Sequence, residues 1–211
     1  MIELLTVIAI IGSLAGLLFP VLGVVREKAR RAACASNLHQ VFLGIGLYAA
    51  DNSRYVPYLT TPTDYANCSF VLLNTYIQTA AIFYCPSDRR TGPPAGAAKD
   101  FSNANFRDAA NVCSYSLARQ MALVPDFHDI PVVVDRVGTG VGPAMFNLMN
   151  PTNGAANAVW TNGNHRANGG NILFVDGRVQ FVSQLPTNLQ SATAYQTSTP
   201  NTLKNAVQNP R

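Results

Sequence analysis

Apolar residues run from Leu4 to Val25, interrupted only by Thr6, Ser13 and small residues, and Pro20 lies inside the run. Glu3 stands at its N-terminal edge, and the cations Arg26, Lys28, Arg30 and Arg31 follow it directly. A helix of about 22 residues rises about 33 Å, enough to cross the hydrocarbon core of a bilayer. A carboxylate at the edge of such a run is costly beside lipid unless something pairs with it. The pattern therefore predicts a helix that starts in a membrane and ends among copies of itself. A signal peptide would carry its basic flank before the run and a small-residue cleavage site after it, the reverse of the order here. A plain signal-anchor stays open. By charge alone, the cluster after the run would hold the following domain in the cytoplasm.

Helical periodicity continues past the cations. Ala29, Ala32, Ala33, Leu38, Val41, Phe42, Ile45, Tyr48 and Ala49 recur at three- and four-residue steps and make one apolar face. The helix is expected to stop near Asp51-Asn52, before Tyr55-Val-Pro57. Gly12, Gly16, Pro20 and Gly23 are its weak points, Pro20 because it lacks an N–H and crowds the preceding turn. A short second helix is predicted over Asp64–Gln78, with Phe70, Leu72, Leu73, Tyr76 and Ile77 apolar. Residues 86–111, rich in Gly, Pro, Ala, Asn and Asp, read as a long loop.

Strands are predicted at Cys113–Leu117, Ile130–Asp135, Asn171–Val175 and Val179–Val182. The last two flank Asp176-Gly177, where glycine accepts the positive φ of a tight hairpin turn. After Pro186 the chain is Ser/Thr/Asn/Gln-rich to Arg211, either a loose tail or a strap that orders against neighbouring subunits. The expected fold class is α+β, one long N-terminal helix packed on a small antiparallel sheet with long loops. Residues 1–25 form the membrane or filament-core half of the helix and 26–52 its exposed half. A β-rich head follows over 53–185, and the polar tail or strap over 186–211.

Only 12% of the 211 residues are charged and the formal net charge is +4, so the polar surface comes mainly from Asn, Thr, Ser and Gln. Arg26, Lys28, Arg30 and Arg31 account for much of the positive excess beside the membrane run, and no basic stripe occurs elsewhere. That argues against nucleic acid as a primary partner. Nucleotide-binding, nucleophile-elbow and zinc-protease motifs are absent. His39, His128 and His165 are far apart in sequence, so no catalytic residue is assigned and no enzyme is expected. Cys34, Cys68, Cys85 and Cys113 include no Cys-x-x-Cys pair, so zinc has little support from spacing. An even number in an exported domain favours two disulfides, whose connectivity the residues themselves leave open.

The segment Met1-Ile-Glu-Leu-Leu-Thr-Val-Ile-Ala-Ile-Ile-Gly-Ser-Leu-Ala-Gly-Leu-Leu-Phe-Pro20 resembles the N-terminus of type IV pilins and type II secretion pseudopilins. Glu3 and Pro20 match that family's glutamate and internal proline in identity and spacing. In the family a short basic leader ending in glycine, followed by Phe-Thr, precedes this point. The resemblance implies cleavage by a prepilin peptidase and an inner-membrane stage before assembly. It also implies a head outside the cytoplasm, and a homo-oligomeric filament built by pilus or secretion machinery. Glu3, Gly12, Gly16 and Pro20 would be the assembly residues, with Glu3 paired to a neighbour's N-terminal amine and the helix broken near Pro20 after assembly.

Further resemblance lies in Cys34-Ala-Ser-Asn-Leu38 and Cys85-Pro-Ser-Asp88, motifs of a large pilin-like subfamily. They imply a Cys34–Cys85 disulfide, and with it Cys68–Cys113. His165-Arg-Ala-Asn-Gly-Gly-Asn-Ile-Leu-Phe-Val-Asp176-Gly177 resembles the same subfamily's C-terminal signature, with ten residues between His and Asp where nine are usual. The plain expectation is a hairpin at Asp176-Gly177 and a local hydrogen bond for His165. The sharper one is a calcium site with Asp135, Asp176 and the Asn side chains as oxygen donors; no other cofactor is implied. The resemblance thus points to a filament subunit on the cell surface. A periplasmic pseudopilin, and a single-pass membrane-anchored binding or sensor module, are the alternatives.

Overall fold

A computed structural model describes residues 2–57, 69–88, 96–107, 112–118, 123, 131–136, 146–147, 164–165, 168–183 and 206–208. Helix α1 runs unbroken over Ile2–Asp51, through Pro20. Its hydroxyls bond back to its own carbonyls, Thr6 Oγ1 to Glu3 O and Ser13 Oγ to Ile10 O, both at 2.8 Å. Polar groups in the apolar run are therefore satisfied within the helix, as a lipid-facing segment requires. The helix ends as expected. Arg54 N–H reaches back to Ala49 O at 2.7 Å while Ser53 adopts φ 54°, which is the geometry of a Schellman stop.

The two halves of α1 differ in surroundings. Every large apolar side chain from Ile2 to Val25 is exposed, whereas Cys34, Leu38, Val41, Ile45 and Ala49 are buried. Steps of four, three, four and four residues keep these on one face, and that face packs on the head.

The head is an antiparallel sheet of β1 (Tyr115–Ala118), β2 (Pro131–Asp135), β3 (Phe146–Asn147), β4 (Gly170–Phe174), β5 (Val179–Val182) and β6 (Ala206–Gln208). Their spatial order is β3-β6-β1-β2-β4-β5. Tyr115 lies opposite Asp135, Val134 opposite Ile172, and Leu173 opposite Val179. Strands β2 and β4 are buried along their whole length. Pro131, which has no N–H for a ladder, sits at the first position of β2, where the register slips before Val133. The expected strands are present; Val179–Val182 coincides with β5, and the other three start a residue or two away from the expected positions. Cys113 and Ser114 precede β1 because Ser114 N–H bonds to Phe83 O at 2.8 Å instead of to a strand. Within the tail, residues 206–208 pair with β1 of their own chain rather than waiting for a neighbouring subunit.

The turn joining β4 and β5 is the predicted one. Gly177 N–H bonds to Phe174 O at 3.0 Å, and Gly177 has φ 83°. A Cβ there would stand 2.7 Å from Phe42 Cε1 of α1, so glycine is required both by the turn and by the approach of the helix.

The second helix ends earlier than expected. Its described part is α-helical at residues 69–70 and tightens into a 3-10 turn over Val71–Leu73, after which the Tyr76 and Ile77 N–H groups both close onto Leu73 O. A separate 3-10 turn follows at Ala80–Phe83 after an extended Thr79. Phe70, Leu73 and Ile77 are buried at helical spacing, but β-branched Val71, Thr75, Ile77 and Thr79 disfavour extending the turn. Residues 64–68 lie outside the described residues. The expected loop is irregular but contributes to the core. Its one-turn π segment at Asn103–Arg107 brings Phe106 against Phe83 at 5.4 Å, with Phe101 beside both and Phe70 4.7 Å from Phe83.

Candidate functional site

Two regions carry chemistry beyond packing. The first is the exposed apolar half of α1. Glu3 lies in its first turn, where a carboxylate suits the helix dipole. Gly12, Gly16 and Gly23 meet nothing within 4 Å, so the backbone there is open to close approach by another helix. Residues 2–51 form a helix long and apolar enough to cross a membrane.

The second is a buried polar junction where α1, the loop after Phe83 and the sheet converge. The two cysteine motifs meet here. Cys34 on α1 is disulfide-bonded to Cys85, with Cα atoms 5.2 Å apart. Asn37, one turn on, donates to Tyr84 O at 3.2 Å. Asp88 is buried, and Arg136 Nη2 at 3.0 Å and Ser114 Oγ at 2.7 Å donate to its carboxylate. These bonds fasten the exposed half of α1 and the Cys85-Pro-Ser-Asp88 loop onto β1 and β2.

His165 lies at the centre of the junction and is 1% exposed. Its Nδ1 is 2.9 Å from Glu27 Oε1 on α1. Its Nε2 lies 3.4 Å from Asp135 Oδ2 and 3.6 Å from Cys85 Sγ. The Asp135 carboxylate, fully buried at the end of β2, accepts from Asn164 Nδ2 at 3.0 Å and from the backbone and side-chain N–H groups of Asn171 at 2.6 and 2.9 Å. Ser87 Oγ donates to Glu27 Oε1 at 3.1 Å, and Arg31 lies 3.7 Å from the same oxygen. The Arg31 guanidinium also sits 4.3 Å above the Phe181 ring, which in turn meets His165 edge-on at 5.5 Å.

The charges follow from these contacts. Burial pulls the His165 imidazole down, but hydrogen bonding and charge from Asp135, then from Glu27, outweigh it and raise it overall. Burial pushes Glu27 up, but bonds from His165 and Ser87, with the charges of His165 and Arg31, hold it below the usual carboxylate range. The junction thus favours an imidazolium between two carboxylates, linking helix to sheet across 138 positions of sequence. Family models, curated proteins and solved structures yield no match to the chain.

The structure unites some sequence-predicted residues and separates others. Cys34 and Cys85 pair as expected. Cys68 and His128 lie outside the described residues, so the Cys68–Cys113 pairing does too; Cys113 is buried, its Sγ donating to Tyr115 O at 3.4 Å. His39 is exposed on the polar face of α1. The local contact expected for His165 is present, Asn171 Nδ2 lying 3.3 Å from its Nε2, but its ring also meets Glu27 of α1 and Asp135 of β2, which the expectation did not include. The calcium reading is corrected as well. Asp135 is bonded to Asn171 near the start of β4, whereas Asp176 is exposed beyond its end, accepting from its own turn at Arg178 N–H. The three strand steps from Asn171 to the end of β4 at Phe174 alone span about 10 Å, too far for shared coordination. Glu27 and Asn164 stand outside every motif the sequence offers, whereas Asn171 belongs to the His165–Gly177 signature. The available signal for Glu27 was a single acid amid four cations, which reads as a solvated helix face.

Proposed function

We propose that the chain is the structural subunit of an extracellular type IV pilus-like filament, held together by the apolar half of α1. The observation that carries the reading is the division of one continuous helix. Residues 2–25 leave every large apolar side chain exposed, while the core of the head begins at Cys34. A surface of that kind needs a bilayer before assembly and sibling helices after it. The apolar helix and the disulfide fit a membrane-anchored, non-cytoplasmic protein. Glu3, buried among sibling helices, would need a cationic partner, and the N-terminal amine of a neighbouring subunit offers one. Prepilin peptidase and the pilus assembly machinery are the partners this reading requires.

The test is negative-stain imaging of material sheared from cells that make the chain, with antibody raised against the head. Labelling along thin filaments is expected. Chains found only as monomers in the membrane fraction would overturn the reading in favour of an anchored binding or sensor module.

A further inference from the structure

We propose that Cys34, Cys85, His165 and Asp135 form a zinc-class metal site when the cystine is reduced to its dithiol. The candidate ligand atoms, two Sγ, His165 Nε2 and an Asp135 carboxylate oxygen, all lie within 4.8 Å of one another. In a tetrahedral zinc site, bonds of about 2.3 Å to sulfur and about 2.0–2.2 Å to nitrogen and oxygen place neighbouring ligands about 3.3–3.8 Å apart. The observed edges of 3.6 Å from Cys85 Sγ to Nε2 and 3.4 Å from Nε2 to Asp135 Oδ2 have that length. The two sulfurs must separate and any edge near the 4.8 Å limit must close, and reduction frees both sulfurs to move by rotation about their Cα–Cβ bonds.

The surroundings suit a metal as well as the ligands do. His165 presents Nε2 to the site while Nδ1 faces the Glu27 carboxylate at 2.9 Å, an arrangement that fixes the tautomer and strengthens imidazole as a ligand. Asn164 and Asn171 hold the Asp135 carboxylate in place. Thiolate and imidazole select zinc over calcium, which prefers oxygen. Glu27 is partly exposed and gives a cation its approach. The conversion balances simply. A dithiol reductant gives two electrons and two protons to the Cys34–Cys85 bond and itself becomes a disulfide. The two thiols then release their protons as thiolates bind the metal, and His165 releases one from Nε2 if it carries it. Disulfide and metal are thus alternative clasps between α1 and the Cys85 loop. The inference is independent of whether the chain assembles.

The test uses the full chain in detergent, reduced by a phosphine without oxygen and titrated with Co²⁺ and then Zn²⁺. One equivalent of Co²⁺ should give the visible bands of a tetrahedral site with thiolate-to-cobalt charge transfer, displaced by Zn²⁺. His165→Ala and Asp135→Asn, checked as folded in their oxidised forms, should lose or shift those bands. Glu27→Gln, acting through His165, should weaken Zn²⁺ about 10–100-fold with the band pattern kept. In the wild-type chain, Zn²⁺ should protect Cys34 and Cys85 together from alkylation, read by peptide mass mapping. Equal alkylation of the pair with and without Zn²⁺, or cobalt spectra unchanged in both ligand variants, would overturn the proposal.

Discussion

Ser53 holds φ 54° at the stop of α1, in a conformation that glycine adopts freely and other residues enter at a cost of about 1–2 kcal/mol. Set against the extra freedom glycine brings to the unfolded chain, Ser53→Gly should stabilise the head by about 0.5–1 kcal/mol. Urea unfolding would show it as a raised midpoint at unchanged slope. The Glu27–His165 pair sets a pH dependence in the oxidised protein, with Arg31, Ser87, Asp135 and Asn171 packed around it. Glu27 is depressed on folding, so its contribution is present above the unfolded value of about 4.5 and is lost as pH falls through the folded one. His165 is raised, so its contribution is complete below about 6.5 and is lost as pH rises through its folded value. Stability should therefore peak between about pH 4.5 and 6.5, and Glu27→Gln should flatten both limbs in stepwise-pH unfolding. A wild-type profile level across pH 4 to 8 would contradict that assignment. At this scale the cysteine motifs were legible in sequence because each carries its own neighbours, Asn37 and Asp88, to the meeting point. The partners of His165 were not, because no local pattern ties residue 27 to residue 165.

At the scale of elements, periodicity served where one environment persists. The face from Cys34 to Ala49 was readable because it stays against one core over four turns. The β4–β5 hairpin was readable because Asp176-Gly177 has a local turn chemistry. The end of the second helix was not readable, because Leu73 and Ile77 continue the helical spacing of Phe70 although the backbone has already tightened into a 3-10 turn. Phe101 and Phe106 were passed over because Gly- and Pro-rich surroundings disguised a segment that reaches the core. The Cys34–Cys85 bond closes a loop with a sequence separation of 51. In the chain-entropy model, replacing both cysteines by serine should cost the oxidised head about 4 kcal/mol. Denaturant titration of wild type and double variant would measure that loss, and a difference under about 1 kcal/mol would mean that the polar junction alone fastens helix to head.

The whole molecule divides at the basic cluster. Below it, α1 leaves its large apolar side chains exposed; above it, the same helix is clamped by a disulfide, an ion pair and a packed sheet. Cohesion and folding are therefore assigned to different stretches of one element. Glu3→Ala should leave the head folded and the disulfide formed while sharply lowering filament yield, since Glu3 is exposed in the first turn of α1, far along the helix from the core face that begins at Cys34; an undiminished yield would remove Glu3 from assembly. The division itself is tested most directly by sedimentation and imaging of a truncated chain beginning at Arg26. The account predicts a soluble, disulfide-bonded monomer with the urea midpoint of the intact head. Filaments of native diameter from that truncated chain would contradict it, because cohesion would then reside in the head.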